Sequence, residues 1–270
     1  LLRFGLFFGL TGATAAIIVG FSVYLYYAPT IPFFNTLDDY QPKIGTKIYS
    51  ADDQLIGEFA TERRVVVPFE LIPKRVFQAF MSAEDKRFYS HSGIDYLGVF
   101  KAIFDKITNP GNKLRGASTI TQQVAKSLLV TYESYKTATE RSLIRKIREA
   151  ILAKHLESNL SKDDIIYLYV NQIFLGHKAY GIQAAAEHYF RKNVWELSLA
   201  EMATLAGLPQ RPSDYSPFLH PESALARRKY VLRRMREDGH ITTQEEIEAV
   251  NSDIKVYPRK ELYLQVAPYY

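Results

Sequence analysis

Apolar side chains recur every three or four positions through most of the chain after residue 73, and this period predicts a mainly helical body. The first helix is expected to begin at Pro73. Its apolar face is formed by Val76, Phe77, Phe80 and Met81. Breaks in the helical pattern are predicted at Pro110, Gly111, Gly176, Gly181, Pro209, Pro212 and Pro217.

The N-terminal segment has a different pattern. Residues 4–27 carry no charge and as a helix would extend roughly 36 Å, which is enough for a tilted bilayer crossing. Arg3 precedes this segment and aromatic residues crowd its far end, so the N-terminus is expected in the cytoplasm. A cleavable signal peptide is the alternative, but its apolar stretch usually has only about 7–15 residues. We therefore predict an uncleaved, single-pass anchor over residues 1–28.

Short runs typical of strands follow the anchor. They cover residues 47–49, 55–59 and 64–67, with a polar turn at Asp52 and Asp53. We expect a membrane-proximal linker and a small β element over residues 29–70.

The helix that begins at Pro73 places a carboxylate on its apolar face. Glu84 follows Phe80 by four residues, so its side chain should point inward. A desolvated carboxylate has a raised pKa and can hold or take a proton near neutral pH, as a general acid or base does. The alternative is a Glu at the helix end that pairs with Lys86 or Arg87 at the surface.

Two further stretches combine apolar and basic residues. Residues 96–115 form a basic amphipathic stretch that either lies on a membrane surface or packs on the core. Residues 226–236 predict a basic helix, for which a solvated face is favoured over contact with anionic lipid.

A glycine turn at Gly116 leads into a predicted helix start. Thr119 and Gln122 have the spacing of a capping box, and the free N–H groups of such a start attract phosphate. Gln123 and Lys126 then share one helical face. The alternative is an ordinary, well-capped surface helix.

A helix predicted over about residues 139–155 has two stripes. One is apolar, with Leu143, Ile144, Ile147 and Ile151, and the other contains Arg145, Glu149, Leu152 and Leu156. A helix that is apolar on both sides is usually buried, so Arg145 and Glu149 are expected to form an internal charge pair. This pair belongs either to a functional site or to a structural ion pair.

Later helices are predicted to start at Ser161, Ser198 and Thr243, each of which opens a capping signature. The helix after Ser161 is expected to be structural.

The composition excludes some classes of site. The 270 residues carry a net charge of +5 and no cysteine, which excludes disulfides and thiolate metal sites. No glycine-rich nucleotide loop or zinc spacing is present, and the histidines are treated as structural.

Three stretches match the motifs of one family. Residues 84–93 match E-D-x-x-F-x-x-H-x-G, residues 116–123 match G-x-S-T-I-T-Q-Q, and residues 145–149 match R-K-x-x-E. In this order and spacing the chain resembles the glycosyltransferase domain of class A penicillin-binding proteins, the family-51 peptidoglycan glycosyltransferases. A fourth motif, K-x-x-I-L-E-x-Y-L-N, fits imperfectly because Tyr167 stands where the family has Glu.

The resemblance implies a lysozyme-like, two-lobed, mainly α domain over residues 71–250. It implies that residues 251–270 begin a linker to a C-terminal transpeptidase region. It also implies polymerisation of lipid II into glycan strands on the periplasmic side of the bacterial cytoplasmic membrane. Lipid II, the growing strand, the membrane and other cell-wall synthesis proteins are the expected partners, and nucleic acid is not expected.

By the same resemblance, Glu84 is the general base that takes the proton of the acceptor's sugar 4-hydroxyl, and Glu149 is the second catalytic carboxylate. The residues expected to bind substrate are Asp85, Phe88, Ser118, Thr119, Gln122, Gln123, Lys126, Arg145 and Lys146. No metal site is expected in the protein itself. A divalent cation, Mg²⁺ or Mn²⁺, would be held mainly by the substrate diphosphate.

Two alternative functions stay open. A lytic enzyme of similar fold would use Glu84 as an acid to cleave glycan, but it has no use for cations around a diphosphate. A membrane-anchored module that binds anionic lipid through its basic helices would not need Glu84.

Overall fold

The computed structural model describes residues 2–32, 34–40, 46–52, 55–59, 63–109, 118–132 and 143–257. Its helices are α1 (Leu2–Tyr27), α2 (Lys74–Glu84), α3 (Tyr96–Thr108), α4 (Ile120–Tyr132), α5 (Leu143–Asn159), α6 (Lys162–Gln172), α7 (Ile182–Phe190), α8 (Leu199–Gly207), α9 (Pro221–Glu237) and α10 (Thr243–Asn251). Its strands are β1 (Thr46–Tyr49), β2 (Leu55–Phe59), β3 (Arg63–Arg64) and β4 (Ala179–Tyr180). The predicted mainly α fold with a small β element is confirmed.

Some predictions fall outside the described residues. They are the breaks at Pro110 and Gly111, the end of the amphipathic stretch over residues 110–115, the turn at Gly116, Asp53 of the polar turn, the start of the helix predicted over about residues 139–155, and most of the linker expected over residues 251–270.

The expected anchor coincides with α1. Within the ranges that the structure describes, no helix combines the length and the apolar character needed to cross a bilayer. The membrane anchor therefore stays a prediction.

The β element is divided between two small sheets. Strands β1 and β2 form an antiparallel pair, as the two runs and their turn predict. The third predicted run is a strand only at β3, which pairs in parallel with β4 far along the chain. Beyond β3 the backbone of Val67 is bonded by the Asn171 side chain instead of a neighbouring strand, so the run predicted over residues 64–67 is not a strand past Arg64.

One hydrophobic core joins the helices after residue 73 other than α3. Helices α2, α8 and α9 pack against one another, while α4 packs against α5 and α6. The predicted caps at Ser161 and Ser198 are confirmed, since each hydroxyl accepts a backbone N–H three residues later. The last helix is capped one residue earlier than predicted, because Thr242 pairs with Glu245.

Helix α5 is buried on one stripe only. Glu149, Leu152 and Leu156 are buried, but Leu143 is 83% exposed and Ile144 is 50% exposed. The expectation that both stripes are buried is therefore wrong at the first turn of the helix, whereas Ile151, further along the apolar stripe, packs against the core.

Helix α3 turns several apolar residues to solvent. Leu97, Phe100 and Ile107 are each at least 70% exposed, while Asp95 caps the helix by accepting the Gly98 N–H. The alternative in which this face packs on the core is therefore wrong.

Asn171 fastens the segment that follows β3 to helix α6. Its Oδ1 accepts the Val67 N–H at 3.0 Å, and its Nδ2 donates to the Val67 carbonyl at 3.3 Å. Asn171 is 1% exposed, so no solvent is available to replace these bonds.

We expect Asn171→Ala to lower the free energy of unfolding by about 1–3 kcal/mol, because it leaves buried backbone groups of Val67 unpaired. Urea denaturation measures this loss. Asn159→Ala is the matched control, since the Asn159 amide is exposed and bonds within its own helix, and it should change stability by less than about 0.5 kcal/mol. Equal losses in both variants would contradict the assignment.

Candidate active site

A cleft of about 510 Å³ opens where the end of α2 meets α4, α5 and α9. Most of the predicted site residues line it, namely Glu84, Ser118, Gln122, Gln123, Lys126, Arg145, Lys146 and Glu149. The two carboxylates expected to act in catalysis therefore share one cavity.

Glu84 is the last residue of α2, and the buried face of this helix directs its side chain inward. Only 13% of the side chain is exposed. Gln123 Nε2 donates to Oε2 at 3.1 Å, and Arg227 Nη2 lies 3.3 Å from Oε1. Burial raises the pKa of Glu84, while the hydrogen bond from Gln123 and the charge of Arg227 work against that rise.

The alternative of a surface ion pair for Glu84 is wrong. Lys86 pairs with Asp238 at 2.7 Å, and Arg87 pairs with Asp95. Neither neighbouring cation is therefore the partner of Glu84.

The amide of Gln123 is oriented by a hydrogen bond from Tyr169 of α6. The Tyr169 hydroxyl donates to Gln123 Oε1 at 3.5 Å, which leaves Nε2 to donate to Glu84. Burial and the nearby Glu84 charge raise the pKa of Tyr169, so this hydroxyl stays a neutral donor.

The predicted internal charge pair of α5 is confirmed. Arg145 Nη1 lies 3.1 Å from Glu149 Oε1, and Lys146 Nζ lies 2.7 Å from Oε2. Lys146 also donates to the Ser118 hydroxyl at 3.3 Å. Glu149 is 1% exposed, so its negative charge is buried between these two cations at the cleft wall.

The cleft has a cationic lining. Its basic residues are Lys86, Lys126, Arg145, Lys146, Arg227 and Arg234, against the two carboxylates Glu84 and Glu149. Such a lining favours an anionic ligand.

The capping box at the start of α4 is confirmed. The Gln122 N–H donates to Thr119 Oγ1 and the Thr119 N–H donates to Gln122 Oε1, both at 3.1 Å. The Ile120 N–H donates to Asp85 Oδ2 at 3.0 Å. Protein side chains therefore take N–H groups that were expected to attract phosphate.

Three residues expected to bind substrate lie behind the cleft. Asp85 is 7% exposed and bonds His91 as well as the start of α4. Phe88 is fully buried under the ammonium of Lys162. The Thr119 hydroxyl, 2% exposed, donates to the Gly93 carbonyl. None of the three lines the cleft; each supports its wall from behind, and direct contact with substrate stays a prediction for them.

Gly93 allows this support to pack closely. Its φ of +90° is in the region that favours glycine, and a Cβ at this position would lie 3.0 Å from the Ala153 carbonyl oxygen of α5. The first motif therefore joins the end of α2 to both α4 and α5.

Tyr167, which replaces the family's Glu, lies away from the cleft. Its ring contacts Phe69 with centroids 6.2 Å apart. Tyr167 is not among the residues that line the cleft.

Arg227 was missed from the sequence. It is 9% exposed in its side chain, so the expectation of a solvated face on its helix is wrong there. The spacing of Arg227, Tyr230 and Arg234, all of which line the cleft, places them on one face of α9. That spacing could have indicated from the sequence that the three residues share a helical face. It does not indicate which part of the protein this face packs against.

The protein groups do not favour a metal ion in the cleft. Among the residues that the structure describes, no cluster of three or more His, Cys, Asp or Glu side chains could hold one. Both cleft carboxylates already have cationic neighbours.

The chain matches one family model and several known proteins. A family model described as Transglycosylase matches residues 52–236. Penicillin-binding protein 1A of Rickettsia felis is 43% identical over 98% of this chain and 33% of its own length. The protein of the same name from Neisseria flavescens is 45% identical over 84% of this chain and 27% of its own length. This chain thus spans between about a quarter and a third of the length of these relatives.

Among solved structures, the crystal structure of Penicillin-Binding Protein 1A from Haemophilus influenzae aligns with 81% of this chain and 22% of that one. The identity is 26% and the TM-score is 0.46.

The raised pKa of Glu84 gives a prediction about stability. A carboxyl group whose pKa is higher in the folded than in the unfolded state stabilises the fold when protonated, and this contribution is lost as pH rises through the folded pKa. Glu84→Gln, which mimics the protonated form, should therefore be more stable than the wild type at neutral pH. The difference should vanish at acidic pH. Thermal unfolding across pH measures it, and a less stable Gln variant at neutral pH would contradict the burial argument.

Proposed function

The chain belongs to the transglycosylase family, and we propose that it is a peptidoglycan glycosyltransferase that polymerises lipid II into glycan strands and releases undecaprenyl diphosphate. One observation carries the proposal. A desolvated carboxylate, Glu84, and a cationic wall built around Glu149 line the same cleft.

In the proposed reaction Glu84 acts as the general base. It takes the proton of the acceptor's sugar 4-hydroxyl while that oxygen attacks the anomeric carbon of the donor. The bond from this carbon to the diphosphate breaks on the opposite face, so the configuration inverts. The raised pKa of Glu84 suits this step, because a base is most effective when its pKa approaches the working pH.

The leaving diphosphate needs no proton, so a second acid is not required as it is in a glycosidase. It needs compensation of its developing negative charge, which we assign to Lys126, Arg145 and Lys146. Glu149 keeps Arg145 and Lys146 in place and acts through them.

We assign a divalent cation, Mg²⁺ or Mn²⁺, to the substrate diphosphate and not to the protein. The cleft carboxylates support this assignment, because each already pairs with a cation.

We propose that the reaction takes place at the outer face of the cytoplasmic membrane, with α1 as a single-pass anchor. The exposed apolar residues of α3 support a location at the membrane surface. Such a location also suits a substrate that carries a long lipid chain.

We expect Glu84→Gln to lower the rate of lipid II polymerisation by at least about 10²-fold while the protein stays folded, because the base is lost. Gel separation of glycan products measures the rate. A variant that polymerises at the wild-type rate would refute the assignment of the base. Release of soluble fragments from finished strands by the wild type, without consumption of lipid II, would instead support a lytic enzyme.

We expect Lys126→Ala and Arg145→Ala each to weaken binding of a lipid-diphosphate ligand by about tenfold, because each removes a charge that would contact the diphosphate. Titration of the ligand in detergent measures the affinity. Lys154→Ala is the matched control, since Lys154 lies on α5 away from the cleft and contacts Ser92. Unchanged affinity in the two cleft variants would contradict their role.

A further inference from the structure

We propose that Arg227 is a positioning residue for Glu84, and that Gly207 provides the gap through which it reaches the carboxylate. The inference rests on the proposed function for its catalytic meaning. Its geometry stands independently, in the contact of the Arg227 guanidinium with Glu84 at 3.3 Å.

The guanidinium is fixed from several sides. Its Nε donates to the Gly207 carbonyl at 3.1 Å. The ring centroid of Tyr230 lies 4.7 Å from the guanidinium carbon, and that of Tyr215 lies 5.6 Å from it. A bond to the end of α8 and two aromatic faces therefore direct Nη2 at Glu84.

Gly207 makes this path possible. A Cβ at residue 207 would lie 2.8 Å from Arg227 Cγ. This atom belongs to the stem of the side chain, so the whole of Arg227 would have to move. Gly207, the last residue of α8, thus leaves the space that the Arg227 side chain occupies.

The other groups around Glu84 make the charge of Arg227 important. Gln123 of α4 supplies a neutral donor, Tyr169 of α6 is neutral, and Asp85 adds a second negative charge. Lys86 and Lys126 line the same cleft, but Lys86 pairs with Asp238. In the described part of the chain, Arg227 is the cation that contacts Glu84 directly.

The consequence concerns which form of Glu84 is present. Burial and Asp85 favour the protonated carboxyl, which cannot act as a base, whereas a fixed guanidinium favours the carboxylate. Gln123 donates to one oxygen of the Glu84 carboxylate and Arg227 donates to the other. These two bonds hold the carboxylate in a single orientation. Loss of the charge should therefore shift the acidic limb of the pH–rate profile to higher pH.

The first experiment compares pH profiles of lipid II polymerisation for wild type, Arg227→Gln, Arg227→Lys and Arg228→Gln in the full chain. In Arg227→Gln we expect the rates on the acidic side to fall about tenfold more than those on the plateau. Arg227→Lys keeps the charge and should recover part of the loss. Arg228→Gln is the matched control, because Arg228 bonds the Val250 carbonyl instead, and its limb should not move. A wild-type profile with only a higher KM in Arg227→Gln would overturn the proposal and make Arg227 a substrate-binding residue.

A second variant tests the proposal even if Arg227→Gln does not fold. Gly207→Ala keeps every charge and replaces a glycine within a helix, a change that by itself favours the helix. We expect it to stay folded and to reproduce the shift of the acidic limb, because the new Cβ displaces Arg227. A wild-type profile in this variant would overturn the role given to Gly207.

A direct titration separates this inference from the proposed function. The ¹³C signal of the Glu84 carboxyl, identified by its absence in Glu84→Gln, is followed against pH in wild type, Arg227→Gln and Gly207→Ala. A titration midpoint that rises in both variants supports the positioning role even if the wild type fails to polymerise lipid II, in which case only the proposed reaction falls. An unchanged midpoint overturns the role whether or not the protein polymerises.

Discussion

The burial of one negative charge at the end of a helix constrains the rest of this structure. A carboxylate removed from water is unfavourable unless donors and cations surround it. Glu84 obtains them from helices distant in sequence, an amide from α4 and a guanidinium from α9. The packing of α2, α8 and α9 is therefore also the arrangement that makes this carboxylate tolerable.

The neighbouring carboxylates of Glu84 and Asp85 face different surroundings. Glu84 is the last residue of α2 and faces the cleft, whereas Asp85 leaves the helical conformation and bonds the start of α4 and His91. The support beneath the cleft is thus built from the residue next to the proposed base. This arrangement explains how a short motif can carry both a reactive group and the scaffold that holds it.

Much of this organisation could be predicted from the sequence because its causes are local. The apolar period of α2 gave the inward direction of Glu84, the capping box gave the start of α4, and the i, i+4 spacing gave the contact of Arg145 with Glu149. Long-range packing could not be predicted. Nothing in the run 226–236 indicates that Arg227 crosses Gly207 toward Glu84, or that β3 pairs with β4. Phe88 and Thr119 belong to motifs that the resemblance assigns to substrate, and their burial behind the cleft could not be predicted from those motifs.

The contact between Glu84 and Arg227 joins residues 143 positions apart in the chain, and this separation has a consequence for biosynthesis. At roughly 5–20 residues per second, a ribosome needs on the order of ten seconds to extend the nascent protein from one partner to the other. During that interval the carboxylate has no guanidinium to accompany it into the interior and keeps its hydration. Closure of the cavity is therefore a late event in folding, completed only when α9 has emerged.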